Sequence, residues 1–107
     1  MGLISYVKEE IQVIRERDPA IKSNWEVFLY PSFKVILSYR VAHRLYRKKH
    51  YFLARWVSQR AARKTGIEIH PGARIGKGLF IDHGTGVIIG ETTIIGNNVT
   101  LYQGVTL

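Results

Sequence analysis

The stretch IHPGARIGKGLFIDHGTGVIIGETTIIGNNVTLYQGVTL, residues 69–107, decides the fold. Ile69, Ile75, Ile81 and Val87 stand six apart; after a shift of two residues, Ile89, Ile95, Leu101 and Leu107 stand six apart again. The position four beyond each start is small or apolar: Ala73, Leu79, Thr85, Thr93, Val99 and Val105. Such a repeat signals a parallel β-helix, in which each hexapeptide supplies one short strand and one turn. The aliphatic anchors point inward and stack on those of the neighbouring coil, while Gly and Asn accept the tight turns. At three hexapeptides per coil the stretch makes about two coils, and solenoids need roughly three or more units for stability. Leu107 ends the chain on an inward anchor. The expectation is therefore a solenoid that is incomplete at its C-terminus, or one whose open end is covered by assembly.

Working back toward the N-terminus, the period changes to that of helices. Leu3, Ile4, Val7, Ile11 and Ile14 form one apolar stripe of a helix running to about Arg17. Asp18-Pro19 reads as a stop and restart, with Asp as the cap of the next helix and Pro in its first turn. Pro31 opens a second strong helical pattern whose apolar residues, Phe33 to Tyr46, cover much of its circumference, so it should be buried on more than one side. Arg47-Lys48-Lys49-His50 closes it with cations at the negative end of the dipole. A third helix is expected from about Phe52 to Lys64 with Leu53, Trp56, Val57 and Ala61 inside, ended by Gly66. The class is α+β: a helical segment, residues 1–66, then a β-helix, residues 67–107.

The 107 residues carry a net charge of +8, divided unevenly. Residues 1–66 hold 14 Lys/Arg against 5 Asp/Glu, and residues 67–107 hold 2 against 3. Excess charge steers and solubilises; it does not name a function. Phe28, Phe33, Tyr39, Tyr46 and Trp56 fall at helical spacing among other apolar residues, as core does, so no nucleic-acid partner is expected. No apolar run reaches the ~18 residues of a membrane span. No basic stretch precedes an apolar core at the N-terminus, so a cytoplasmic location is expected. With no Cys there is no disulfide, no thiolate nucleophile and no Cys-based zinc site. His70 and His83 alone make no case for a metal. Gly84-Thr85-Gly86 followed by Gly90 misses the dinucleotide fingerprint by one residue and lies in the hexapeptide frame.

Three segments go beyond the repeat: Glu68-Ile69-His70-Pro71-Gly72-Ala73-Arg74-Ile75-Gly76, Ile81-Asp82-His83-Gly84-Thr85-Gly86-Val87, and Gln103-Gly104-Val105-Thr106-Leu107. With Gly90-Glu91-Thr92, Arg17-Asp18-Pro19-Ala20 and Tyr39-Arg40-Val41-Ala42-His43, their order and spacing resemble the bacterial serine O-acetyltransferase family of hexapeptide-repeat acyltransferases. The resemblance implies a left-handed β-helix, a hand that physics alone would not favour, since parallel crossovers are normally right-handed. It implies transfer of acetyl from acetyl-CoA to the hydroxyl of L-serine, giving O-acetyl-L-serine for cysteine synthesis. His83 would be the general base, suited by an unperturbed pKa of about 6.5. Glu68, fifteen positions earlier and so close to one coil away, would hold its ring. Asp82 and Asp18 would hold the amino acid substrate. His70, before Pro71, reads as structural, and His43 and His50 as without chemistry.

The resemblance also implies more than the chain contains. The acetyl-CoA groove, an Arg-His-Pro segment for the serine carboxylate and a tail that binds O-acetylserine sulfhydrylase would lie beyond Leu107. The chain by itself would then be inactive or weak, and its parent assembly a homotrimer packed β-helix to β-helix. Two other functions compete: a hexapeptide acyltransferase with another acceptor, which the Asp18 match argues against, and a non-catalytic assembly or binding fragment.

Overall fold

A computed structural model describes residues 3–17, Glu26 and residues 29–107; Asp18, Pro19 and Phe28 lie outside the described residues. Among the described residues three helices lead into six short strands: α1 (Leu3–Arg17), α2 (Pro31–Arg47), α3 (Tyr51–Thr65), then β1 (Glu68–Ile69), β2 (Arg74–Ile75), β3 (Phe80–Asp82), β4 (Ile88–Ile89), β5 (Ile94–Ile95) and β6 (Thr100–Tyr102). Pro31 sits at the first turn of α2, where its missing N–H costs nothing, after Tyr30 in extended conformation. Gly66 closes α3 in the left-handed conformation (φ 74°) and donates its N–H to Ala62 O.

Each strand pairs in parallel with the one three further on: β1 with β4, β2 with β5, β3 with β6. The result is a coil stacked on a coil, with three two-stranded walls. The inward side chains stack in register, Ile69 on Ile89, Ile75 on Ile95 and Ile81 on Leu101. They form one core with the corner residues Ala73, Leu79 and Val87. The first turn of the coil takes 20 residues, Glu68 to Ile88, and not three sixes. The next bridge, Ile88 to Thr106, closes after 18. The two extra residues lie in the corner between β3 and β4, and they are the phase shift visible between Val87 and Ile89.

A parallel pair uses alternate main-chain groups, so the first coil turns a row of unpaired groups away from the second. The helices satisfy them. Ser58 Oγ donates to Ile69 O (2.6 Å), Tyr39 Oη to Ala73 O (2.5 Å), and Arg40 to Ile75 O (2.8 Å) and Gly76 O (2.6 Å). His43 Nδ1 donates to Pro71 O (2.8 Å), and Ser32 Oγ accepts from Ile81 N (3.1 Å). Val35, Ile36, Tyr39 and Ala61 enter the same core as the coil anchors. On the other side of α2, Phe33 packs with Val13 and Ile14 of α1 and with Phe80 of β3. Burial of α2 on two sides is as its sequence indicates.

α3 departs from expectation. Its inner face is Ala54, Ser58 and Ala61, while Leu53 and Trp56 point outward with Tyr51 and Phe52. Small side chains let the helix axis approach the coil closely enough for Ser58 to reach Ile69 O. A tryptophan on that face would hold the two apart.

Glu10 is buried in α1, 3% exposed, and its Oε2 has no hydrogen-bond partner among the described residues. Burial raises its pKa from 4.5 to about 8, against the opposing pull of Arg40. A carboxyl whose pKa is higher folded than unfolded stabilises fully below its unfolded value, and that stabilisation is lost as pH rises through the folded value. Stability should therefore fall between about pH 4.5 and pH 8. Urea titrations across that range are expected to show the slope, and Glu10→Gln to flatten it. An unchanged slope in the variant would assign the dependence to another group.

Candidate active site

The chain passes from β3 into the extended corner through Asp82, His83 and Gly84. Two tight main-chain bonds fold it sharply: Gly84 N donates to Asp82 O (2.7 Å) and Thr85 N to His83 O (2.8 Å). Both His83 (φ 63°) and Gly84 (φ 69°) are left-handed. That conformation is uncommon for a residue with a Cβ, and such strain concentrates at functional sites. Gly84 is confined as well: a Cβ there would lie 2.5 Å from Ile67 Cδ1, a fully buried side chain beneath the corner. The corner is pinned to both coils, by Gly86 N to Gly66 O (2.9 Å) and Gly104 N to Thr85 O (3.0 Å).

This backbone holds the His83 ring out into solvent, its side chain 78% exposed, with Nε2 3.7 Å from Asp82 Oδ1. Glu68 begins β1, and its main-chain N–H donates to Val87 O at the far end of the corner (2.9 Å). Its carboxylate accepts from Gln59 Nε2 (3.4 Å). No hydrogen bond or ion pair joins Glu68 to His83 among the described residues. The structure thus brings together Asp82 and His83 and sets Glu68 at the other end of the same corner. Fifteen residues is three quarters of this 20-residue turn, not a whole coil.

Asp18 lies outside the described residues, but the chain on either side of it is anchored near β3. Arg17 donates to Thr100 Oγ1 of β6 and to Gly78 O (3.5 Å) just before β3. Ser32 meets Ile81 N. Neither residue stands out in the repeat or the helical stripe; the only sequence signal for Arg17 is its place before Asp18-Pro19.

His70 and His43 serve structure. His70 Nδ1 accepts from Gly72 N (3.0 Å), which leaves the proton on Nε2, 3.9 Å from Glu91 Oε2. Burial holds its pKa below the ordinary value. Tyr46 Oη donates to the same Glu91 oxygen (3.0 Å), so α2 is tied to a corner of each coil. His43 stacks on Tyr39 as it bonds Pro71 O. No cluster of three or more His, Cys, Asp or Glu side chains that could hold a metal ion occurs among the described residues. None of the described helices is long and apolar enough to cross a membrane.

Stacked hexapeptide coils capped by helices, with an exposed histidine on an extended corner, define the class: a hexapeptide-repeat β-coil protein. No protein-family profile matches the chain. Individual relatives do. It is 57% identical over 98 residues to a serine acetyltransferase of Helicobacter pylori, covering 91% of this chain and 57% of that protein. It is 57% identical over 102 residues to serine acetyltransferase of Bacillus subtilis, covering 94% and 47%. In three dimensions it matches soybean serine acetyltransferase complexed with serine at a TM-score of 0.91 and 43% identity, over 98% of this chain and 44% of that one. A serine acetyltransferase in complex with CoA matches at 0.92 and 37%, over 98% and 45%. Within its class the chain is homologous to the serine acetyltransferases over nearly all of its own length. It spans about half the length of the curated relatives it matches.

The tight corner makes a stability prediction. Gly84→Val puts a β-branched side chain at positive φ and against Ile67, and should lower unfolding free energy by about 2 kcal/mol or more. Chemical denaturation of the two proteins measures this; equal midpoints would mean that the corner relaxes freely.

Proposed function

We propose that the protein to which this chain belongs is a serine O-acetyltransferase, moving acetyl from acetyl-CoA to the hydroxyl of L-serine in L-cysteine biosynthesis. The observation that carries this reading is the Asp82-His83-Gly84 corner. It is a strained turn that exposes one imidazole, in a chain more than half identical to enzymes named for that reaction. Acetyl-CoA is the co-substrate, and the chemistry calls for no metal.

His83 acts as general base. Its neutral imidazole takes the proton of the serine hydroxyl as the oxygen attacks the thioester carbonyl. A C–O bond forms, the tetrahedral intermediate collapses, the C–S bond breaks, and the imidazolium returns the proton to the departing CoA thiolate. The products are O-acetyl-L-serine and CoA. No acyl-enzyme is needed, in keeping with the absence of Cys. Glu68 orients the ring and stabilises its charged form; a change of side-chain rotamer has to bring the carboxylate across the corner. Asp82 and Asp18 hold the substrate ammonium group by charge-assisted hydrogen bonds. The anchoring of Arg17 on the β3–β6 wall supports Asp18 in that role.

In this reading residues 67–107 carry the base and residues 1–66 bring the acceptor to it. The coils are left-handed and continue past Leu107 into the acetyl-CoA groove. The assembly is a homotrimer, O-acetylserine sulfhydrylase is a partner, and the location is cytoplasmic.

The test is release of CoA thiol from acetyl-CoA by the full-length protein, read with a thiol reagent, with and without L-serine. Serine-dependent release should fall by about 10²–10⁴-fold in His83→Ala, and by less in Glu68→Gln. Release that ignores serine but responds to another acceptor would replace the substrate. Full activity in His83→Ala would remove the base.

A further inference from the structure

We propose that the basic groove along the C-terminal half of α2 binds a small polyphosphate anion. Two adjoining clefts form it. The first, of about 370 Å³, lies between α1 and α2 and is lined by Tyr6, Arg40, His43, Arg44, Arg47 and Lys48. The second, of about 530 Å³, runs from α2 to the first coil; His43 and Arg47 line it too, with Lys49, Tyr51 and Arg74. Among the described residues no Asp or Glu lines either cleft. Glu91 borders the second through Tyr46 and is already engaged: it accepts from Tyr46 Oη (3.0 Å) and stands 3.9 Å from His70 Nε2. Arg40 donates to Ile75 O and Gly76 O, so its N–H groups are committed while its charge still faces the first cleft.

Helix capping does not account for these cations. The last carbonyls of α2 are bonded by main-chain N–H groups: Lys48 N donates to Arg44 O (3.2 Å), Lys49 N to Tyr46 O (3.0 Å) and His50 N to Leu45 O (2.9 Å). The helix dipole offers only about half a negative charge at this end. Arg40, Arg44 and Lys48 stand four apart, and Arg47 three from Arg44, so like charges crowd one face, which destabilises a helix. A multivalent anion relieves that repulsion. Phosphate suits the site because a guanidinium meets two of its oxygens with a planar fork, and here cations approach from α2 on one side and from Arg74 of β2 on the other. The concave shape favours a small ligand over a duplex or a membrane surface. The groove flanks the corner between β1 and β2, where Gly72 lies, whereas His83 stands between β3 and β4. The proposal rests on the clefts and stands whether or not the acetyltransferase reading does.

The test is calorimetric titration of the full-length protein with inorganic tripolyphosphate, with ATP, and with sulfate at matched ionic strength. Tripolyphosphate should bind at one site per chain and more tightly than sulfate. Equal binding of ATP would assign recognition to the phosphates alone; tighter binding of ATP would add a contact to its base, and either keeps the proposal. Arg47→Gln and Arg74→Gln, both at exposed positions, should each weaken tripolyphosphate binding by about tenfold or more with unchanged circular dichroism. Arg47→Lys should recover part of the loss, because it keeps the charge and loses the fork. Lys64→Gln, the same change of charge at an exposed position on α3, should leave binding nearly unaltered. Sulfate binding as well as tripolyphosphate, equal losses in Lys64→Gln and Arg47→Gln, or competition by duplex DNA at equal phosphate concentration would each reduce the groove to diffuse charge and overturn the proposal. A KM for acetyl-CoA that rises in Arg47→Gln in step with the loss of tripolyphosphate binding would overturn it as a separate site.

Discussion

The rest of the structure depends on the main-chain edge of the first coil. Two coils of two- and three-residue strands pair well with each other, but the outer side of the first coil presents donors and acceptors with no third coil above them. Buried and unpaired, each such group would cost on the order of 1–3 kcal/mol. Side chains from α2 and α3 take their place: Ser58, Tyr39, Arg40 and His43 donate to carbonyls along this edge, and Ser32 accepts from Ile81 N. This requirement fixes which face of each helix turns inward. It also explains why one core contains both helical and coil residues.

The same constraint explains the placement of the corner. A regular hexapeptide corner would continue the wall; two added residues must bulge outward, because the inward space is filled by Ile67 and Ile81. The bulge is stiff, held to both coils by main-chain bonds. A histidine there is exposed on a main chain held in one conformation, which suits a base that must meet a substrate from outside. Asp82 precedes the turn and stands beside His83, and Glu68 bonds the corner's far end through its main chain, so the corner has a carboxylate at each end.

Much of this is legible from residue order alone. The aliphatic anchors from Ile69 to Leu101 stack as their spacing indicates, because only inward positions tolerate so regular a run of branched side chains. The two-residue shift locates the corner, and Asp82-His83-Gly84 falls inside it. α3 differs from its sequence pattern for a physical reason. Hydrophobicity marks Leu53 and Trp56 as core, but Ser58 and Ala54 lie inward because the helix must come close enough to satisfy a carbonyl. Close approach and polar satisfaction leave no apolar signature in a sequence. The Glu68–His83 spacing misleads similarly: fifteen residues looks like a coil only until the extra two are counted in.

The sequence by itself determined the period, the number of coils, the approximate helix boundaries and the chemistry available, since these depend on side-chain volume, turn preference and residue type acting locally. Only the tertiary structure decided which helical face meets the coil, how Glu10 comes to be buried with its Oε2 lacking a hydrogen-bond partner among the described residues, and where the candidate base stands relative to its carboxylates. Those outcomes depend on main-chain groups brought together from residues some ten to fifty positions apart, and main-chain groups are the same in nearly every residue.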